Sequence, residues 1–314
     1  MMADLVCMGE PMLEFNQQPA SADGRRLYLE GFGGDTSNAA VAAARQGVAV
    51  AYATAIGDDP AGARFLALWA AEGIDTGAVI RSRTHPTAVY FVTHGDRGHE
   101  FLYYRSNSAA SRYAPSDVPE ALIAGARMFY ASGISQAISA DAADAVFHAI
   151  DIARRAGVRV AYDTNYRPRL WPSARAAAVI HAAIAQADIA LPGLEDSAQL
   201  FGVTDPDAVA DHYLRLGPRI VVVKMGADGA LLATPDDRLR IPPHATEIVD
   251  ATGAGDTFCG AFLARTILGD TPEQAVRYAS VAAALKCRGF GAVAPIPRPD
   301  EVIAAMWTTA PNAP

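Results

Sequence analysis

The stretch "IVDATGAGDTF", residues 248–258, sets two aspartates around a threonine and two glycines, between a short β-branched run and an apolar stretch of helical character. Gly253 and Gly255 let the backbone take unusual angles and come close to a ligand, which would leave the amides of Ala254, Gly255 and Asp256 free at a helix start. Free N–H groups and the positive end of a helix dipole attract phosphate and the negative charge that develops during its transfer. Asp256 falls where it could take the proton of an incoming hydroxyl. A second constellation is aromatic and basic: "YFVTHGDRGHEFLYYRSNSAAS" supplies Tyr90, Tyr104 and Arg105, and "AYDTNYRPRLW" supplies Asn165 and Arg167, the arginine in a turn after a strand end. Two arginines converging on a pocket suit a carboxylate, which guanidinium holds bidentately. Singly, each residue has a plainer reading: the aspartate as a helix N-cap, the arginines as solvated charges, the tyrosines as sheet packing.

These residues need a scaffold, and the chain has the means to build one. Of its 314 residues, 51 % are apolar, enough for the core of one large α/β domain with a small appendage. A formal charge of −8 argues against a nucleic-acid surface, so an anionic substrate must meet local positive charge. The first residues carry no basic leader, and no uncharged apolar run approaches the roughly 20 residues of a membrane span, so a cytoplasmic protein without a membrane partner is expected. Cys7, Cys259 and Cys287 lie far apart without a CxxC pair and read as small buried hydrophobes.

From about residue 115, β-rich runs ("RMFYAS", "VRVAYDTN", "DIALP", "RIVVVKMG") alternate with Ala/Leu-rich helical stretches near 140–155, 173–186 and 195–202, the pattern of a mostly parallel sheet covered by helices. The N-terminal part offers a strand at "LVCMGE", a helix across "TSNAAVAAARQG" and a strand at "VAVAYATAIG". Residues 12–33 and 87–112 break that rhythm, the second with two β-rich arms around a Gly-Asp-Arg-Gly turn. They are expected to form a small β lid inserted into the main domain. Its exposed strand edges and apolar face predict a homo-oligomer, a dimer or larger, through the lid. The last residues, "TTAPNAP", are expected to fray.

"DATGAGDTFCGAF" resembles the C-terminal signature of the ribokinase-type (PfkB) carbohydrate kinases, "GFGGDTSNAAVAAARQG" resembles their N-terminal diglycine signature, and "AIGDDPAG" lies between them in the expected order. The resemblance spans essentially the whole chain. It implies a ribokinase-like fold, a Rossmann-like sheet with a β lid, that transfers phosphate from ATP with Mg²⁺. Asp256 would be the general base, and the amides of Gly253, Ala254, Gly255 and Asp256 the anion hole. No GxxxxGK[ST] phosphate loop is present, as expected of a family that uses its own. By the same resemblance Lys224, Gly226 and Gly229 of "VVVKMGADG" approach the nucleotide, as do Thr252, Gly253 and Gly255. Gly289 and Gly291 of "ALKCRGFGAVAPIP" would flank the adenine, and Asp250 and Thr252 match positions that hold a monovalent cation such as K⁺ in some members. One departure is plain: the family's Asn-x-x-Glu motif for the Mg²⁺ water network is here Gly193 and Asp196, leaving Glu195 or Asp196 to act through water.

"YYRSNSAAS", "DTNYRPRLW" and "GGDTSN" together resemble the 2-keto-3-deoxygluconate kinase subgroup. That likeness implies substrate contacts from Gly34, Tyr90, Arg105 and Arg167, with Tyr104 and Asn165 nearby and Ile134 lining the pocket. The reaction implied is ATP-dependent phosphorylation of the C6 hydroxyl of 2-dehydro-3-deoxy-D-gluconate. A neutral-sugar kinase such as a fructokinase or ribokinase is the alternative, one that would not need Arg105 and Arg167 together. A non-catalytic sugar or nucleotide sensor would be marked by loss of the final aspartate of "GAGD", which is present.

Overall fold

The structure is a computed structural model that describes residues 2–95 and 98–308, so the tip of the Gly-Asp-Arg-Gly turn and residues 309–314 of the tail expected to fray lie outside the described residues. The first half runs β1 (Leu5–Met8), β2 (Met12–Gln18), β3 (Leu27–Gly33), α1 (Asp35–Arg45), β4 (Val50–Gly57), α2 (Pro60–Ala71), β5 (Val79–Ser82), β6 (Ala88–Gly95), β7 (Gly98–Tyr104), α3 (Glu120–Ala124), β8 (Met128–Ser132), α4 (Gly133–Ala137) and α5 (Ala140–Arg155). It continues through β9 (Arg159–Asp163), α6 (Ser173–Ile184), β10 (Ile189–Ala190), α7 (Leu194–Phe201), α8 (Pro206–Leu216) and β11 (Ile220–Lys224). The chain closes with β12 (Ala230–Ala233), β13 (Arg238–Ile241), α9 (Ala254–Leu268), α10 (Pro272–Lys286) and α11 (Pro299–Thr308).

Nine strands form the main sheet in the order β13-β12-β11-β10-β9-β8-β1-β4-β5, parallel except for the antiparallel edge made by β12 and β13. Both faces are covered, and β1 shows how: Leu5 and Cys7 join a core layer with α1, α9 and α10, while Val6 and Met8 join one with α5, α6 and α8. Strand order turns at β1, with β4 and β5 on one side and β8 to β11 on the other. Such a reversal opens a crevice at the carboxyl ends of the strands. Glu10 follows β1 there, Ser132 ends β8, Asp163 ends β9 and Lys224 ends β11.

The second sheet has four strands in the order β3-β2-β6-β7, drawn from the two segments expected to form the lid. Residues 105–112 leave it and end in a short 3₁₀ turn, Ala110–Arg112. Exposed apolar residues sit on both edge strands, Leu27 and Leu29 on β3, Leu102 and Tyr104 on β7. The three cysteines are buried and unpaired, and among the described residues no helix is long and apolar enough to cross a membrane.

One close approach sets the geometry of the site. A Cβ at Gly260 would stand 2.2 Å from the Ala39 carbonyl oxygen, so α9 packs on α1 more closely than any larger residue would permit. Each helix begins at the crevice.

Candidate active site

Helix α9 starts at Gly253, whose φ of +76° is the left-handed conformation that glycine tolerates, and no side chain caps the helix. The Ala254 amide donates to the Ala251 carbonyl at 3.1 Å, so the expectation that it is free is corrected: the first turn folds back and uses it. The amides of Gly255 and Asp256 have no such partner among the described residues and remain for an anion. Lys224 lies beneath this turn, 3.9 Å from where a Gly255 Cβ would be.

Asp256, in the first turn of α9, accepts a hydrogen bond from Asn38 Nδ2 at 2.8 Å across the helix contact. Burial, and then the negative charge of Asp35, push its pKa up to about 7, against the pull of the Asn38 amide. A carboxylate titrating near neutrality is suited to act as a general base. Asp35 opens α1 and is buried. One of its carboxylate oxygens accepts from the Ser132 hydroxyl and from Asn165 Nδ2 at 3.3 Å; the other is buried with no donor among the described residues. A buried acceptor left open beside a proposed base is where a substrate hydroxyl would bind. Burial chiefly, and the charge of Asp163 also, raise the Asp35 pKa.

Around this pair the predicted substrate residues divide. Gly34, with φ +101°, precedes α1 and backs onto the Glu10 carbonyl. Ile134 is buried in α4, Asn165 holds a positive φ of +32° next to Asp35, and the Arg167 guanidinium lies close enough to Asp35 and Asp196 to lower the pKa of each. Arg167 is exposed, and among the described residues its side chain is tied only through Nη1 to the Tyr166 carbonyl at 2.9 Å. Arg105, by contrast, is paired at 2.5 Å with Glu10, whose side chain is fully buried, although Arg105 Nε keeps no acceptor. Tyr90 gives its hydroxyl to Glu14 and stacks on Tyr103.

Tyr104 is not with them. The register pairs Tyr90 with Tyr103, and side chains alternate along a strand, so Tyr104 turns to the opposite face, beside Phe91. Tyr103 is the tyrosine on Tyr90's side, one residue from the one expected.

On the side expected to take the nucleotide, a cleft of about 410 Å³ is lined by Lys224, Gly226, Gly229, Gly255, Phe258 and Ala283. Gly289 lines an adjoining, wider recess with Arg288 and Pro295, and residues 244–246 border both. Lys224 is not a free phosphate ligand: Nζ donates to Asp163 at 2.7 Å, and although burial works against its charge, Asp163 and its neighbours hold its pKa above the ordinary value. Asp196 accepts from the Thr164 hydroxyl at 2.8 Å, and burial followed by the Asp163 charge raises its pKa, while Glu195 points outward. Asp196 is therefore the carboxylate of the two that faces the site. Among the described residues no group of three metal-binding side chains is assembled. Thr252 donates its amide to Asp250 Oδ1 at 2.9 Å, and the Gly291 amide donates to Asp250 Oδ2 at 2.8 Å.

Sequence reasoning passed over Asp35 and Asn38, although both stand in the quoted "GGDTSN", over Asp163, although it opens the quoted "DTNYRPRLW", and over Glu10, Glu14 and Ser132, which no motif marks.

The sequence pattern of the pfkB family carbohydrate kinases matches residues 2–299. The chain is 32 % identical over 311 residues to the 2-dehydro-3-deoxygluconokinase of Thermoproteus tenax, covering 96 % of this chain and 94 % of that one. It is also 31 % identical over 314 residues to fructokinase-1 of Oryza sativa subsp. japonica, covering 96 % and 97 %. The crystal structure of a fructokinase with bound ATP from Xylella fastidiosa superposes with a TM-score of 0.88 at 26 % identity, covering 98 % of this chain and 99 % of that one. With its two glycine-marked helix starts brought together at the turning point of the sheet, this chain belongs to the PfkB family of carbohydrate kinases, a sugar kinase of ribokinase-like fold.

Proposed function

We propose that this kinase phosphorylates the C6 hydroxyl of 2-dehydro-3-deoxy-D-gluconate with ATP, as a phosphotransferase with an alcohol acceptor. The observation that carries the reading is Arg167, an exposed guanidinium beside Asp35 that is free to take a carboxylate at the far end of a sugar chain. The open Asp35 oxygen and Asn165 orient the sugar hydroxyls, with Gly34, Tyr90 and Ile134 shaping the pocket. Arg105 supports the acid end through Nε, which has no acceptor among the described residues.

In the transfer, the C6 oxygen attacks the γ-phosphorus, the bond to the ADP oxygen breaks, and the hydroxyl proton passes to Asp256. The Gly255 and Asp256 amides accept the charge that builds on the equatorial oxygens. Gly226 and Gly229 border the adenosine end of the cleft. ATP is supported by that cleft and by the fructokinase relative solved with ATP. Asp196 is a hard oxygen donor suited to Mg²⁺ held through water, and Mg²⁺ when bound neutralises phosphate charge. Assembly through the exposed edge strands of the small sheet is part of the same proposal, and molar mass from light scattering checks it.

A second reading, a neutral-sugar kinase, is favoured by one observation: Glu10 already neutralises Arg105, which weakens the paired-arginine case. The similarity to a plant fructokinase points the same way. A coupled ADP-release assay with Mg·ATP separates them, comparing the keto-deoxy acid, its galactonate epimer, fructose and ribose at equal concentration. The acids are expected to win clearly; preference for fructose or ribose would keep the chemistry and overturn the carboxylate pocket.

A further inference from the structure

Lys286, the last residue of α10, is fully buried. Taking an ammonium out of water is costly unless it is paired, and an apolar side chain of the same length fills such a space at less cost. Its single hydrogen bond within the described residues runs from Nζ to the backbone carbonyl of Asp250, at 2.8 Å. Three residues later the left-handed turn of Gly253 begins the anion hole.

Asp250 is the hub of that loop. Its carboxylate takes the amides of Thr252 and Gly291, and its carbonyl takes Lys286. A third element reaches in from the small sheet: Glu14 of β2, buried and holding the Tyr90 hydroxyl, lies 3.9 Å from where a Gly291 Cβ would be. Burial lowers the Lys286 pKa, while Asp250 and Glu14 pull it back up. One fully buried ammonium thus holds the backbone of Asp250 and feels the charges of a half-buried and a buried carboxylate.

The resemblance to other family members places a monovalent cation such as K⁺ at Asp250 and Thr252. The residues present do not call for that ion, since the positive charge at this loop is already supplied by the chain itself: Lys286 Nζ holds the Asp250 carbonyl while the Thr252 and Gly291 amides fix its carboxylate. We propose that Lys286 is a built-in cation of the anion-hole loop, a positioning residue that holds Asp250, and through it Gly253 to Asp256, so that turnover needs no added monovalent metal ion. The inference rests on the phosphoryl-transfer reading of Asp256 and is independent of which sugar is used.

The test begins with the unaltered protein. Turnover, and ATP binding by calorimetry without sugar, are compared in buffers whose monovalent cation is either K⁺ or tetramethylammonium at equal ionic strength. Both quantities should be unchanged; activation by K⁺ of roughly tenfold, or tighter ATP binding to that extent (about 1.4 kcal/mol), would overturn the proposal. ATP binding reads the loop even if none of the sugars is turned over, which separates failure here from failure of the substrate assignment. Lys286→Met keeps the length and removes the charge, and kcat should fall roughly 10- to 100-fold, the scale of small misplacements of reacting groups, with the sugar KM held. In Lys286→Ala, which leaves room for an ion, K⁺ or NH₄⁺ should restore part of the loss. Full kcat in Lys286→Met, or no rescue of Lys286→Ala by either cation, assigns Lys286 to packing and refutes the proposal. Should neither variant fold, the wild-type comparison still decides.

Discussion

The two halves of the crevice are built by different means. The phosphoryl half is mostly backbone: a left-handed glycine, an uncapped helix start and two amides without partners, with Asp256 added to the first turn. The sugar half is mostly side chains, contributed by the segment after β1, the small sheet, α1, α4 and the turn after β9. Several of these already hold one another, Arg105 with Glu10 and Tyr90 with Glu14. A site made of backbone serves any phosphoryl acceptor, whereas one made of paired side chains can be re-specified one residue at a time. Under the proposed function, chemistry and specificity are therefore expected to fail separately when mutated.

The largest separation is expected from Asp256→Asn, which keeps shape but removes the base. Turnover should fall by roughly 10²- to 10⁴-fold with sugar affinity little changed. Near-normal turnover would move the base elsewhere. The same variant should melt higher above neutral pH. Burial raises this carboxyl from its ordinary 3.8 to about 7, so between those values the folded protein holds more protons than the unfolded chain and stability falls as pH rises. Replacing the carboxylate removes that loss.

On the sugar side the two arginines should part company. Arg167→Ala is expected to raise KM for the acid sugar roughly ten- to a hundredfold, the scale of a charged hydrogen bond, and leave ATP binding and melting temperature alone. Arg105→Ala strands Glu10 as a buried, unpaired charge and should cost about 3–5 kcal/mol of stability as well. Equal loss of ATP and sugar binding in Arg167→Ala would count against the carboxylate role.

The smallest effect is a pH profile. With a base of pKa about 7, kcat/KM should rise with pH and level off above neutrality, and below it should drop about tenfold per pH unit. A profile flat through that region would contradict the burial and the Asp35 charge that set the value.

The same contrast explains what the sequence made legible. A left-handed turn admits few residues and a helix start has few signatures, so "GAGD" announces the phosphoryl half, and period-two alternation announces the arms of the small sheet. Alternation also explains the miss at Tyr104: two adjacent tyrosines look alike in a string, and only the pairing of Tyr90 with Tyr103 says which one turns inward. The Ala254 amide was expected to be free because a string does not show a first turn closing on Ala251. Glu10, Glu14 and Lys286 take their meaning from partners roughly 40 to 100 positions away or from complete burial, and no local spacing encodes either.

The contact at Gly260 has a consequence for which sugars can react. Because α1 carries Asp35 and α9 carries Asp256, and the helices touch through backbone with Asn38 bridging to Asp256, the hydroxyl anchor and base of the proposed function would be two marks on one stiff ruler. An acceptor is measured by how many carbons separate the hydroxyl it lays on the first mark from the one it offers at the second. On that proposal, variation in the small sheet would change what decorates the chain, while acceptor length would be gauged by a pair of helices that the small sheet does not build.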